Sequence, residues 1–144
     1  MTAIGIRALV VSVLLFAGMK EVCAQQLNSR QAILQAYGAQ QWLKVDELGR
    51  NLFAFKGILA AIPAGLDHMV SEHEGVFNSW GFPLFVSNLP SGYMEPKNGS
   101  ILIARVVGIS NVATPMGALP LPHVEFTARY NCTRGCWEIQ DLNP

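Results

Sequence analysis

The amino-acid sequence predicts an α+β fold, with an N-terminal amphipathic helix and a small antiparallel sheet that ends in a disulfide-clasped β-hairpin. Apolar residues recur at three- and four-residue spacings over residues 30–48, as on one face of a helix. Apolar and polar residues alternate over residues 123–132, as in a half-buried strand. Two cysteines, Cys132 and Cys136, stand at the end of that strand with three residues between them.

The predicted helix begins after Asn28 and Ser29, whose side chains can cap its first turn. Alanine and glutamine, which favour helix, fill most positions between its apolar residues. Gly49 is a natural end point, and Gly38 can interrupt the helix. The apolar positions are Ile33, Leu34, Tyr37, Trp42, Val45 and Leu48.

The middle of the chain gives mixed signals. Residues 51–62 fit either a pair of strands around Gly57 or a short buried helix, because periodicity does not separate the two over so short a run. A short helix is predicted over residues 66–74, and an extended, aromatic-rich segment over residues 75–86. Residues 87–100 are predicted to form a loop, because proline, glycine, asparagine and serine dominate them.

The C-terminal half carries the predicted sheet. An apolar, β-branched run over residues 101–109 predicts a central strand, and residues 113–122, with three prolines, predict a long irregular connection. Residues 133–135 form the turn between strand 123–132 and a final strand over 136–141. The two cysteines would then lie opposite one another, close enough to bridge. A metal or redox pair is the alternative, but the redox motif has two intervening residues and no second ligand pair lies nearby.

The first 24 residues have the pattern of a cleavable secretory signal. A basic start at Arg7 precedes the apolar run 8–19, and Val22-Cys23-Ala24 places small residues before the cut. A membrane anchor is the alternative, but twelve helical residues span about 18 Å, against roughly 30 Å for a bilayer core. We expect residues 25–144 to form one globular domain, periplasmic in a bacterium and otherwise extracellular, with no stable membrane insertion after cleavage.

The charge balance bears on the class of partner. The whole chain has ten basic and ten acidic residues, and removal of Arg7, Lys20 and Glu21 leaves eight and nine, a net charge of −1. Binding to nucleic acid needs a concentrated basic face, so no nucleic-acid partner is expected. No glycine-rich phosphate loop follows a strand, and no cofactor is expected.

One cluster of titratable residues, Asp67 to Glu74, suggests an alternative class of function. On a helix His68 and Glu72 would share one face, with Asp67 or His73 nearby, and the third ligand would be His123 or a distant carboxylate. The protein would then be a small secreted hydrolase or metal-dependent enzyme. The two histidines are five residues apart, unlike the four of the zinc-protease motif, and a solvated polar surface explains the cluster as well. We therefore expect no catalytic residue and no bound metal.

The sequence favours an exported, non-enzymatic protein that acts by binding another macromolecule, most simply another protein, as an assembly subunit or an inhibitor. No nucleophile-elbow motif is present, whereas the loops are rich in apolar residues. A basic residue at the tip of a rigid hairpin loses little entropy on docking, so Arg134 is the first candidate contact. Trp137 and Tyr93 are the others.

The signal-peptide hypothesis predicts the N-terminus of the exported protein. N-terminal sequencing should begin at Gln25, free or cyclised to pyroglutamate, because cleavage follows the small residue Ala24. Recovery of an intact Met1 terminus from the exported fraction would contradict the hypothesis.

Overall fold

A computed structural model describes residues 19–22, 30–133 and 136–140, and most of these residues lie in β-strands. The α+β prediction is wrong, because five of the strands close into a barrel and the helices are few and short. The described strands are β1 (Met19–Val22), β2 (Gln41–Trp42), β3 (Leu59–Ser71), β4 (Glu74–Ser79), β5 (Phe82–Ser87), β6 (Ser100–Thr114), β7 (Gly117–Asn131) and β8 (Cys136–Gln140). The described helices are α1 (Arg30–Tyr37), α2 (Val45–Arg50) and α3 (Leu52–Phe55).

The barrel closes because β3 pairs with two different strands. Residues 59–64 of β3 pair antiparallel with β6, and residues 65–71 pair antiparallel with β4. The ring then runs from β4 to β5, from β5 to β7, and from β7 back to β6. The contact between β5 and β7 is parallel and joins only residues 85–87 to residues 123–125.

The barrel interior is the main hydrophobic core. Alternate residues of its strands point inward, among them Ile62, Phe77, Leu84, Leu102 and Phe126, which are at most 1% exposed. Burial of this apolar surface is the main favourable contribution to folding. One group of core residues comes from α2 and α3, and another, Leu89 and Tyr93, comes from the loop between β5 and β6.

The long N-terminal helix of the prediction is divided into several elements. α1 ends at Tyr37, and Gly38 follows with φ +63°, which glycine adopts without steric cost. The apolar residues that suggested one helix belong to two packing layers. Ile33 packs with Ala61 and Ile103, whereas Val45 and Leu48 lie in the main core. None of the described helices has the length and apolar character of a membrane span.

Two further predictions are corrected by the pairing of consecutive strands into hairpins. Residues 66–74, predicted as helix, form the end of β3, a turn and the start of β4, with His68 paired to Val76. Residues 113–122, predicted to be irregular, belong to a long hairpin that β6 and β7 form around a turn at 115–116. We call residues 108–121 of this hairpin the arm. Pro120 and Pro122 are two residues apart, so both lack an N–H on the same edge of β7. The opposite edge keeps its donors and pairs with β6, which is why the prolines are tolerated.

The C-terminal hairpin differs from the predicted disulfide-clasped one. Asn131 pairs with Cys136, so the connection is four residues long and the two cysteines are not opposite one another. Cys132 is a free thiol, and no disulfide is seen among the described residues. The side chain of Cys136 and all of Arg134 lie outside the described residues.

A buried ion pair joins β7 to β8 at one end of the barrel. The Arg129 guanidinium donates to both carboxylate oxygens of Glu138 at 3.1 and 3.2 Å, and these side chains are 2% and 0% exposed. Asn131 Nδ2 also donates to Glu138, at 2.7 Å. Arg129 donates to the Met94 carbonyl at 2.6 Å and lies over the Tyr93 ring, so the pair also fixes the loop after β5. Although burial opposes it, hydrogen bonding to Glu138 raises the pKa of Arg129.

Loss of the Glu138 charge should destabilise the protein strongly. Glu138→Gln leaves the buried Arg129 charge without the carboxylate to which it is bonded, and we expect the free energy of unfolding to fall by about 3 kcal/mol or more in urea titrations. Asp46→Asn is the matched control, because the Asp46–Arg50 pair is 3.7 Å long with the Arg50 side chain 68% exposed, and it should contribute less than about 0.5 kcal/mol. Equal effects of the two substitutions would contradict this account.

Candidate binding groove

A groove opens in the barrel wall where β5 and β7 stop pairing. Extension of their parallel register toward the N-termini would place Pro83 beside Leu121 and Leu84 beside Pro122, but no pairing occurs there. Proline has no N–H to donate, so Pro83, Pro120 and Pro122 cannot contribute donors to a ladder across this gap. The seam therefore stays open, and α2 lies along it.

The walls of the groove are mostly apolar. Val45 and Leu121 are buried, whereas Phe82 is 47% exposed. The cavity has a volume of about 400 Å³, which is within the range of small-molecule pockets and large enough for an aromatic side chain. Its lining residues are Val45, Asp46, Gly49, Arg50, Phe82, Pro83, Pro120, Leu121 and Pro122.

Basic side chains are available beside the apolar walls. Arg50 lies 3.7 Å from Asp46, one turn earlier on α2, and its side chain is 68% exposed. Such a long, exposed ion pair is weak, so the guanidinium can reorient toward another carboxylate. Lys44, directly before α2, is also exposed. The lining residues thus include one acidic and one basic side chain, and Lys44 adds a second positive charge nearby.

Trp80 lies in the β4–β5 turn, two residues before the groove residue Phe82. It is 75% exposed and has φ +55°, and Gly81 follows with φ +89°. Positive φ at both central residues is typical of a type I′ turn, in which asparagine usually precedes the glycine. A bulky side chain in this conformation costs about 1–2 kcal/mol. The indole gains little burial in return, and its described ring contact is with Lys44, whose Nζ lies 5.7 Å from the ring centroid.

His123 fastens the arm to the barrel through its two ring nitrogens. His123 Nδ1 lies 2.8 Å from Ser110 Oγ on the arm, and Nε2 lies 2.8 Å from Ser87 Oγ on β5. Beside it Val112 and Leu121 pack on Val76 and Phe85. Both ring nitrogens are occupied by hydroxyls, so no carboxylate orients the imidazole as in a serine-hydrolase triad. Burial lowers the pKa of His123, against the opposing influence of Glu74 and Glu125.

The structure separates the residues of the predicted metal cluster. His68 bonds to the adjacent Asp67, and His73 Nδ1 donates to the Leu89 carbonyl. Because residues 66–74 form a hairpin, His68 and Glu72 do not share a helix face as the sequence suggested. Within the described ranges, no three His, Cys, Asp or Glu side chains form a group that could hold a metal ion.

Of the three predicted contact residues, Tyr93 is the one whose side chain the structure describes, and it does not line the groove. Tyr93 is 7% exposed and packs on Phe77 and Phe126 in the core. For Trp137 the structure describes the position in β8 but not the side chain, and Arg134 lies outside the described residues. Sequence reasoning missed Trp80, although a Trp-Gly pair between two extended runs is an unusual turn and could have drawn attention to it.

The strand order defines the class of this barrel. Counted along the chain, the five strands are connected in the order 1-2-3-5-4-1, with strands 3 and 5 parallel, which is the Greek-key arrangement of the OB-fold. No known protein family, curated protein or solved structure matches the chain significantly. A fold alone does not define a function, so the function must be argued from the site.

The lowered pKa of His123 predicts a loss of stability in weak acid. As the pH falls through 6.5, the unfolded state binds a proton that the folded state takes up only at lower pH, so the free energy of unfolding should decrease. Urea titrations between about pH 7.5 and 5.5 should show a steeper decrease for the wild type than for His123→Gln, which cannot titrate. The same pH dependence in both proteins would show that His123 is not the group responsible for the loss of stability.

Proposed function

We propose that the protein is an exported, non-enzymatic binding protein that takes a segment of another protein into the groove between α2 and the β5–β7 seam. The observation that carries the proposal is an apolar groove beside a tryptophan that is exposed and conformationally strained. Backbone strain at an exposed residue is unfavourable for stability, and such residues concentrate at functional sites. Aromatic anchors are also enriched at the energetic centres of protein interfaces.

The groove favours one kind of segment. An aromatic or branched aliphatic side chain fits between Phe82 and Leu121, where it would be removed from water. Lys44 and Arg50 are exposed near this position, so a carboxylate next to the apolar residue would find a partner. The proposed ligand is therefore a short segment that combines an apolar anchor with a neighbouring Asp or Glu.

Nucleic acid fits this barrel less well as a ligand than a protein segment does. OB-folds bind oligonucleotides on the outer face of the second and third strands, which here are β4 and β5. On that face Val76 and Phe85 are already covered by Val112 and Leu121 of the arm. The net charge of −1 for residues 25–144 also lacks the basic excess that phosphate binding requires.

Selection from a peptide library can test the proposal while the natural partner is unidentified. A display library of random linear peptides is panned against the exported protein, and enriched peptides should pair an aromatic or aliphatic residue with an Asp or Glu. Phe82→Ser should weaken the Kd of a selected peptide at least about tenfold by removing one groove wall. Met116→Ser is the matched control, because Met116 is 89% exposed at the arm tip and does not line the groove.

Trp80 gives the same experiment a second readout. Trp80→Asn should raise the free energy of unfolding by about 0.5–1 kcal/mol, because asparagine tolerates the left-handed conformation, while peptide affinity falls. This opposite response separates a binding role from a structural one. Peptides whose affinity is unchanged by both Phe82→Ser and Trp80→Asn would show that the groove is not the binding site.

A further inference from the structure

The outer edge of the sheet at β8 is paired with a segment from the N-terminus. β7 pairs with one edge of β8, and β1 pairs antiparallel with the other. The register places Lys20 opposite Ile139, Glu21 opposite Glu138 and Val22 opposite Trp137. This edge of β8 therefore accepts an antiparallel strand.

Signal cleavage would change this edge. A cut after Ala24 removes all of β1, which ends at Val22. The backbone N–H and C=O groups of β8 that faced β1 would then be unpaired. Proteins seldom leave such a strand edge open, because it is a template for pairing with another chain.

The sequence of β8 resembles that of the strand that cleavage removes. β1 presents Lys20-Glu21-Val22 to the edge, and β8 contains Trp137-Glu138-Ile139, so both place a β-branched aliphatic residue directly after a glutamate. In an antiparallel pair of two β8 strands centred on Glu138, a second Glu138 takes the register position of Glu21. Ile139 of the second copy then takes the position of Val22.

We propose that in the exported protein β8 pairs with β8 of a second copy of this chain, about a two-fold axis at Glu138. This goes beyond the proposed binding function but depends on cleavage after Ala24. A two-fold axis perpendicular to the strands makes identical strands antiparallel, which is the direction that the edge accepts. The two glutamates do not oppose the pairing as bare charges, because each is already bonded to its own Arg129 and Asn131.

The expected dimer is reversible. Five residues per strand give an interface well below the roughly 1,200–2,000 Å² of a stable complex, so we expect a Kd of about micromolar order. Sedimentation over a range of concentrations around that value, with a thiol reductant present to prevent disulfide linkage, measures the association. Circular dichroism of each chain establishes that it is folded.

Three chains distinguish the β8 edge from other surfaces. The chain 25–144 has the edge open and should dimerise. The chain 19–144 retains β1 and should stay monomeric at concentrations about tenfold above that Kd. In 19–144 the double substitution Lys20→Pro/Glu21→Pro removes the N–H groups of two adjacent residues, one of which faces β8, so β1 should detach and dimerisation should return with β8 unchanged.

The outcomes separate this proposal from the groove. A folded 25–144 that remains monomeric overturns it, as does dimerisation of all three chains, which would place the interface elsewhere. An unfolded 25–144 also overturns it, because β1 would then be part of the stable fold. If mass spectrometry shows that the exported protein retains residues 19–22, its β8 edge is closed and the proposal is also overturned. Phe82→Ser in 25–144 should leave the dimer unchanged, so failure of the groove proposal does not affect this test.

Discussion

The buried pair of Arg129 and Glu138 connects parts of the chain that are distant in sequence. Its hydrogen bonds join β7 to β8, and the same guanidinium holds the loop after β5 through the Met94 carbonyl and the Tyr93 ring. Glu95 extends this fastening to β3, because the Leu66 N–H donates to its carboxylate at 3.0 Å. Burial raises the pKa of Glu95, against these hydrogen bonds. A charged network thus replaces apolar packing at this end of the barrel, and its contribution to stability depends on every member being hydrogen-bonded.

The groove arises from a limit on hydrogen bonding rather than from a special pocket motif. A closed barrel requires β7 to pair with neighbours on both edges, and a strand with proline at every second position can donate N–H groups from one edge only. Pro120 and Pro122 leave the ladder to β6 intact, but they contribute no donor on the seam beside Pro83. The opening is filled partly by α2, whose buried Val45 and Leu48 enter the core. The same prolines that make residues 113–122 look irregular in sequence therefore create the proposed binding site.

The hydrophobic pattern predicted several elements correctly and failed where strand pairing, near or distant in sequence, decides the structure. The alternation over residues 123–132 identified the strand now seen as part of β7, and the polar run before Ser100 identified the loop. The helix predicted over 66–74 was wrong because pairing of His68 with Val76 outweighs weak local preference. Barrel closure depends on the parallel contact of Phe85 with His123, across 38 residues, which no periodicity reveals. The groove was missed for the same reason, since its walls come from three separate segments.

Both proposed interactions lie where the hydrogen-bonded sheet ends. At the seam prolines remove the donors, so only side-chain contacts are available and the ligand must supply an apolar anchor. At β8 the donors and acceptors remain, so the backbone itself is the binding element and the partner must be an extended strand. The two surfaces therefore differ in the chemistry they recognise, and occupation of one does not require the other. A dimer formed through β8 would carry two grooves, so a ligand with two anchor segments could bind with an avidity that neither groove provides alone.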